Sequence, residues 1–185
     1  MSSLIFRSED HSYWRGDERV PSVTQIIDDV GLIDTTWFTP ESRERGTAVH
    51  VGCQLLNERS LSWESVDPRI EPYIRAYDRF LLEIDWVPES WEKIVDGGTY
   101  AGTYDLIMER PDGSRILIDI KSGCMPKWAG MQTAAYALPH ALAQRGCLVL
   151  SKNGTYKLHM LNDFKDVLDW QAAHNFYLLK KRLTA

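Results

Sequence analysis

Apolar and polar residues alternate most densely between Gly102 and Gly123, where the runs TYDLIME and RILIDIK flank Pro111-Asp112-Gly113. That tripeptide suits a three-residue connection, with proline at the second turn position and a left-handed glycine forming a bulge. The turn sets the register. Arg110 faces Ser114, and stepping back by twos, Glu109 meets Arg115, Ile107 meets Leu117, Asp105 meets Asp119 and Thr103 meets Lys121. The other face pairs Met108 with Ile116, Leu106 with Ile118 and Tyr104 with Ile120, an uninterrupted apolar surface. A two-residue loop would instead set Asp105 against Ile120.

Elsewhere the pattern lengthens to helical spacing or shortens to single strands. LIFRSEDHSYWRGDERVPSV reads as a hairpin turning at Arg15-Gly16-Asp17. Ser22 or Thr24 then caps a short helix holding Ile26, Ile27 and Val30, stopped by Gly31. After Pro40, ESRERGTAVHVGCQLLNE carries an apolar stripe of Ala48, Val49, Leu55 and Leu56. A further helix is expected from Asp67-Pro68, with Ile70, Tyr73, Ile74, Tyr77, Leu81 and Ile84 on one face. Trp91 to Val95 reads as a strand leading through Asp96-Gly97-Gly98 into the hairpin. Lys127 to Gln144 reads as a helix that Pro139 kinks or splits. CLVLSKNGTYKLHML is a hairpin around Asn153-Gly154, and DFKDVLDWQAAHNFYLLKKRL closes the chain as an amphipathic helix with a basic end. Mid-chain strands flanked by helices predict an α/β fold, with a single domain over residues 1–185.

Composition narrows the classes of function. No run approaches the ~18 apolar residues of a membrane span. Cys53, Cys124 and Cys147 have neither CxxC spacing nor an even count, which argues against disulfide, zinc or iron–sulfur scaffolds and for a reducing compartment. A net charge of −5 argues against broad electrostatic coating of nucleic acid, and leaves room for a local basic groove or a metal that offsets phosphate charge.

Two carboxylates opposed across a strand pair repel each other. They either share a proton or hold a cation, and an all-oxygen set favours Mg²⁺ or Mn²⁺. Lys121, two residues beyond Asp119, points to the same side, where it can orient a water or offset charge on a phosphate. A solvated edge with two unrelated acids is the alternative for an isolated DxK.

GTYD followed by IDIK resembles the paired acid motifs of the PD-(D/E)xK nuclease superfamily. Gln132-Thr-Ala-Ala-Tyr136 resembles the QxxxY signature of its RecB-like branch, and Arg45-Gly-Thr-Ala-Val-His50 resembles that branch's histidine helix. Val20-Pro-Ser-Val-Thr is similar to the opening of small phage-type exonucleases and of the mitochondrial genome maintenance exonuclease. The resemblance implies a restriction-endonuclease-like core, a central mixed β-sheet flanked by helices. It implies one or two Mg²⁺ or Mn²⁺ ions held by Asp105, Asp119, the Ile120 carbonyl and His50, with Lys121 catalytic and Gln132 and Tyr136 in the catalytic set. Taken alone, His50 reads as a hydrogen-bonded histidine, and Gln132 and Tyr136 as helix packing. Glu92 sits where related enzymes carry an acid that assists a second metal, and stays open between that role and a surface position. Arg43, Arg45 and Lys127 are candidate DNA-backbone contacts, with a solvated face as the alternative.

The activity implied is metal-dependent phosphodiester hydrolysis, as an exonuclease on single- or double-stranded DNA ends. An endonuclease on the same fold, or a non-catalytic DNA-binding domain, is the alternative. There is no GxxxxGK[ST] loop and no cysteine set for an iron–sulfur clamp, so the chain resembles a stand-alone, phage-encoded enzyme. Recombination or replication proteins are the partner class implied. A cytoplasmic location, in a bacterial or phage-infected host cell, is expected.

Overall fold

The computed structural model describes residues 3–34 and 39–184. Its framework starts from the Pro111-Asp112-Gly113 turn, which closes as its residues dictate. The Gly113 N–H donates to the Arg110 carbonyl, the Arg110 N–H donates to the Ser114 carbonyl, and Gly113 has φ 78°. The turn joins β5 (Ala101–Glu109) to β6 (Arg115–Ser122), in the expected register from Glu109–Arg115 to Leu106–Ile118. There the ladder ends. The expected pairs Asp105–Asp119 and Thr103–Lys121 do not form.

β4 (Val87–Asp96), β5, β6, β7 (Gln144–Leu150) and β8 (Tyr156–Met160) make one sheet in that order. Only β6 and β7 run parallel, with Asp119 beside Cys147. The other pairs are antiparallel, so this is a mixed sheet. Both faces are buried. Leu106, Met108, Ile116, Ile118 and Ile120 pack with Val49 and Cys53 of α2 (Pro40–Asn57) and with Tyr73, Tyr77 and Phe80 of α3 (Glu71–Glu83). On the opposite face, Tyr104, Ile107 and Leu117 pack with three helices. These are α1 (Val23–Asp29), α4 (Ala129–Ala137) and α5 (Lys165–Thr184). Tyr104 thus shares a face with Ile107, not with Leu106 as strict alternation required; the alternation slips at Asp105.

The N-terminal segment makes three antiparallel strands, not two: β1 (Leu4–Arg7), β2 (Ser12–Arg15) and β3 (Glu18–Val20). The tight turn at Gly16 joins the last two, and β1 returns through His11, a left-handed non-glycine residue. This small sheet is fastened to β5. The Ala101 N–H donates to the Pro21 carbonyl, and the Tyr13 hydroxyl bonds the Thr103 hydroxyl at 2.8 Å. Ser22 then caps α1 in a reciprocal box with Gln25.

Three boundaries differ from the sequence pattern for local reasons. The Asp67 carboxylate accepts the Arg69 N–H in a turn of its own, so α3 begins only at Glu71. The helix expected over 127–144 is α4 alone, followed by a tighter turn around Pro139 that ends at left-handed Ala141. β4 runs well beyond Trp91–Val95 because β5 offers it a full-length partner.

Candidate active site

Asp105 sits where the sheet opens on both of its sides. Toward β4, the ladder pairs Trp91 with Leu106 and Lys93 with Tyr104 but omits the intervening Glu92–Asp105 pair. Glu92 has φ 47°, a left-handed conformation that costs a residue with a Cβ about 1–2 kcal/mol. Toward β6, the Asp105 carboxylate takes the place of the missing ladder bond, accepting the Ile120 N–H through Oδ2 at 2.5 Å. Its other oxygen lies 3.3 Å from His50 Nδ1, and Glu92 Oε1 lies 3.7 Å from the same nitrogen.

His50, Glu92 and Asp105 each offer one ligand atom, and these atoms lie within 4.8 Å of one another. One imidazole and two carboxylates are a donor set that suits a hard or borderline divalent ion such as Mg²⁺ or Mn²⁺. Among the described residues this is the one such cluster. Of the residues expected around a metal, the structure gathers Asp105 with His50 and with Glu92, whose role the sequence left open, while the Asp105–Asp119 strand pair that the register predicted does not form.

Asp119 makes a different partnership. It is almost fully buried, accepts Lys121 Nζ at 2.8 Å through Oδ1, and receives the Cys147 thiol at 3.8 Å through Oδ2. Lys121 Nζ also lies 5.8 Å from the centre of the Trp128 ring. The electrostatics tie the two groups together. Burial works against a charged His50, but the Asp105 carboxylate and then Glu92 outweigh it and raise the imidazole to about 10. Burial would raise Asp105, yet the His50 and Lys121 charges and the Ile120 N–H hold it below the usual carboxylate range. For Asp119, burial wins, aided by the Asp105 charge, and the carboxyl is raised despite Lys121. Lys121 is raised, because the Asp119 and Asp105 charges overcome its burial.

Gln132 and Tyr136 lie one turn apart on α4, both buried, with Gln132 Nε2 donating to the Tyr136 hydroxyl at 3.2 Å. Gln132 Oε1 is buried without a protein partner. The Tyr136 ring lies so close to Gly102 that a Cβ there would come within 2.4 Å of it, which accounts for the glycine at the head of the GTYD stretch. Burial raises the Tyr136 phenol well above its ordinary value, so it is a neutral hydrogen-bonding group.

The basic candidates divide. Arg45 is placed by α2 against the end of β6: its Nη2 approaches the Ser122 carbonyl at 3.5 Å and its guanidinium lies over Tyr73. Arg43 and Lys127 are exposed. The sequence pattern did not single out Cys147, which touches Asp119, because the register of a parallel pair is set by no turn. Nor did it find Tyr13, whose bond to Thr103 braces β5 two residues before Asp105. No helix among the described residues is long and apolar enough to cross a membrane.

No family model matches the chain, and no curated protein matches it in sequence. Among solved structures, it is similar to an alkaline exonuclease, LHK-Exo, from Laribacter hongkongensis. The TM-score is 0.50 at 12% identity, over 89% of this chain and 89% of that one. The structure of LHK-Exo in complex with dAMP gives a TM-score of 0.49 at 14% identity, again over 89% of each chain. At this identity the likeness is one of fold: the chain has a nuclease-like mixed α/β fold with a central five-stranded sheet.

Proposed function

We propose that this protein is a divalent-metal-dependent deoxyribonuclease of the PD-(D/E)xK superfamily, RecB-like branch, acting as an exonuclease on DNA ends. The observation that carries the reading is the His50–Glu92–Asp105 cluster meeting a buried Asp119–Lys121 pair at the point where the sheet opens. Together they form a cluster of charged groups suited to an ion and a phosphate. A bound Mg²⁺ or Mn²⁺ supplies Lewis-acid activation of water and neutralises charge on the phosphoryl oxygens.

His50, Glu92 and Asp105 would hold the ion, joined by Asp119 and the Ile120 carbonyl. Lys121 stands beside the phosphate and stabilises the charge that develops on it. The pair with Asp119 keeps its amine protonated and fixed in place. Gln132 and Tyr136 present a neutral hydrogen-bonding pair to the same strand, and Arg43, Arg45 and Lys127 contact the DNA backbone. Overall acidity is compatible with this, since binding concentrates at the metal and at a few cations. The fold shared with an alkaline exonuclease supports the nuclease reading and the preference for ends.

The test is incubation with linear and covalently closed duplex DNA, with and without Mg²⁺ or Mn²⁺. Linear DNA should be degraded only with metal, and closed circles should survive. Asp119→Ala and Lys121→Ala should remain folded and lose cleavage. Cutting of closed circles points to an endonuclease, and tight binding without cleavage to a DNA-binding module; unimpaired hydrolysis by Lys121→Ala removes the mechanism.

A further inference from the structure

The N-terminal sheet braces β5 with one side and turns the other outward. Leu4, Phe6, Tyr13 and Val20 pack inward around Ala101, so alternation turns their neighbours Ile5, Arg7, Trp14 and Arg19 outward. Trp14 lies directly opposite Ile5 on one side and Arg19 on the other. The Arg7 guanidinium sits 4.3 Å from the centre of the Trp14 ring. Beside Arg19 the surface falls into an open groove of about 370 Å³. Arg19 and Pro21 wall it on one side, Gln25 and Asp29 of α1 and Tyr177 and Lys181 of α5 on the others. Lys181 Nζ lies 5.3 Å from the centre of the Tyr177 ring, so a second cation rests against a second aromatic.

The acids nearby do not cancel these cations. Arg19 and Lys181 are exposed, and neither joins an ion pair among the described residues. Asp29, the acid that lines the groove, is taken by Lys180, whose Nζ lies 3.3 Å from its carboxylate and donates to its carbonyl. Glu18 stands opposite Arg15 and so turns to the inner side of the sheet, away from Arg19. Asp17 and Asp28 are outside the lining. What remains is Arg7, Arg19 and Lys181 set against Trp14 and Tyr177, in a protein of net charge −5.

Cations interleaved with aromatic rings suit a nucleic-acid strand, whose phosphates meet the charges while its bases stack on rings and guanidinium planes. An acidic peptide would use the cations and leave the rings idle. A duplex keeps its bases stacked on one another, and a groove with the volume of a small-ligand pocket admits one strand. None of these residues belongs to the His50–Glu92–Asp105 or Asp119–Lys121 groups. The two regions are nevertheless joined by one strand: Tyr13, next to Trp14, bonds Thr103 two residues before Asp105.

We propose that the outer face of this sheet and the groove beside α5 form a second track that binds single-stranded nucleic acid. Resting on the nuclease reading, the track holds the strand whose end is cut. The test is fluorescence anisotropy of a short labelled oligothymidylate in EDTA. Arg19→Ala with Lys181→Ala should weaken binding about tenfold or more and lower the salt slope by about 1.4, or ~0.7 for each phosphate contact removed. Circular dichroism should stay unchanged, since both side chains are exposed. An abasic strand of the same length should bind the unaltered protein several-fold more weakly. Unchanged affinity and slope in the double variant, equal binding of the abasic strand, or equal binding of polyglutamate of matched charge overturns the proposal. Binding is read without metal or cleavage, so the two readings fail separately. A protein that binds through Arg19 and Lys181 but never cleaves loses the nuclease reading and keeps the track; one that cleaves, with the double variant binding as before, loses the track alone.

Discussion

The two halves of the β5–β6 hairpin share a turn and nearly the same burial, yet they differ in pairing and in what they hold. Beyond Leu106 and Ile118, toward the turn, every ladder position is filled and the inward side chains are aliphatic. On the other side of that pair the ladder stops, and the space holds Asp105, Asp119 and Lys121. A buried aliphatic pair needs only its neighbours' surfaces. A buried carboxylate needs a counter-charge or a donor for each oxygen. The strand therefore trades ladder bonds for side-chain ones: Asp105 takes the Ile120 N–H on one oxygen and faces His50 with the other. The lesson is that a sheet can be fully paired up to a defined residue pair and hold a cluster of buried charges one residue past it.

The largest break in this comparison comes from emptying the charged half. Asp105→Ala should lower Mg²⁺-dependent cleavage of end-labelled DNA by ~10³-fold or more, a loss of the size seen when a preorganised electrostatic group is removed. It also leaves the Ile120 N–H unpartnered, so thermal unfolding should show a modest destabilisation of about 1–3 kcal/mol. The aliphatic half should respond the other way round. Leu117→Ala empties a fully buried site and should cost about 2–5 kcal/mol in urea unfolding. Cleavage per folded molecule should stay close to that of the unaltered protein.

How far each half could be read from the sequence follows from the same contrast. The turn-side half was legible because Pro111-Asp112-Gly113 sets a local geometry and the register propagates from it. Asp105, Asp119 and Lys121 were legible as chemistry because charged residues inside aliphatic runs need a reason, whereas His50 and Glu92 entered beside them only through the family resemblance. The backbone that brings Glu92 in was not legible: it adopts a left-handed conformation in the neighbouring strand, and no glycine or asparagine marks that position. The slip that turns Tyr104 to the face of Ile107 has the same origin, for period-two counting assumes an unbroken strand. Cys147 lay out of reach because β7 arrives from a distant part of the chain, parallel to β6.

Protons sharpen the picture next. Without metal, His50 titrates at about 10 against an ordinary 6.5, because the Asp105 charge outweighs burial. Its ion pair therefore stabilises the fold fully below the lower value and is lost as pH rises through the upper one. A divalent ion needs the neutral imidazole, so below the upper value binding must expel a proton, and affinity should rise with pH by up to about tenfold per unit. Calorimetry of Mn²⁺ binding in two buffers of different ionisation enthalpy measures that release. His50→Asn should abolish it, and an unchanged proton count in that variant would assign the release to another group.

The smallest expected effect tests the strain that opens the sheet. Glu92 pays for its left-handed backbone, whereas its neighbour Lys93 lies in an ordinary ladder pair with Tyr104. Glycine at a normal strand position costs about 0.5–1 kcal/mol through backbone entropy, so Lys93→Gly should destabilise by that much. At position 92 the same entropic loss is offset by release of about 1–2 kcal/mol of left-handed strain. Removing the carboxylate itself changes the balance around His50, and Glu92→Gln isolates that contribution. The difference between Glu92→Gly and Glu92→Gln in urea unfolding should therefore be near zero or favour glycine, by up to about 1 kcal/mol. If glycine instead costs as much at 92 as at 93, the backbone there is unstrained, and the opening beside Asp105 comes from the buried charges alone.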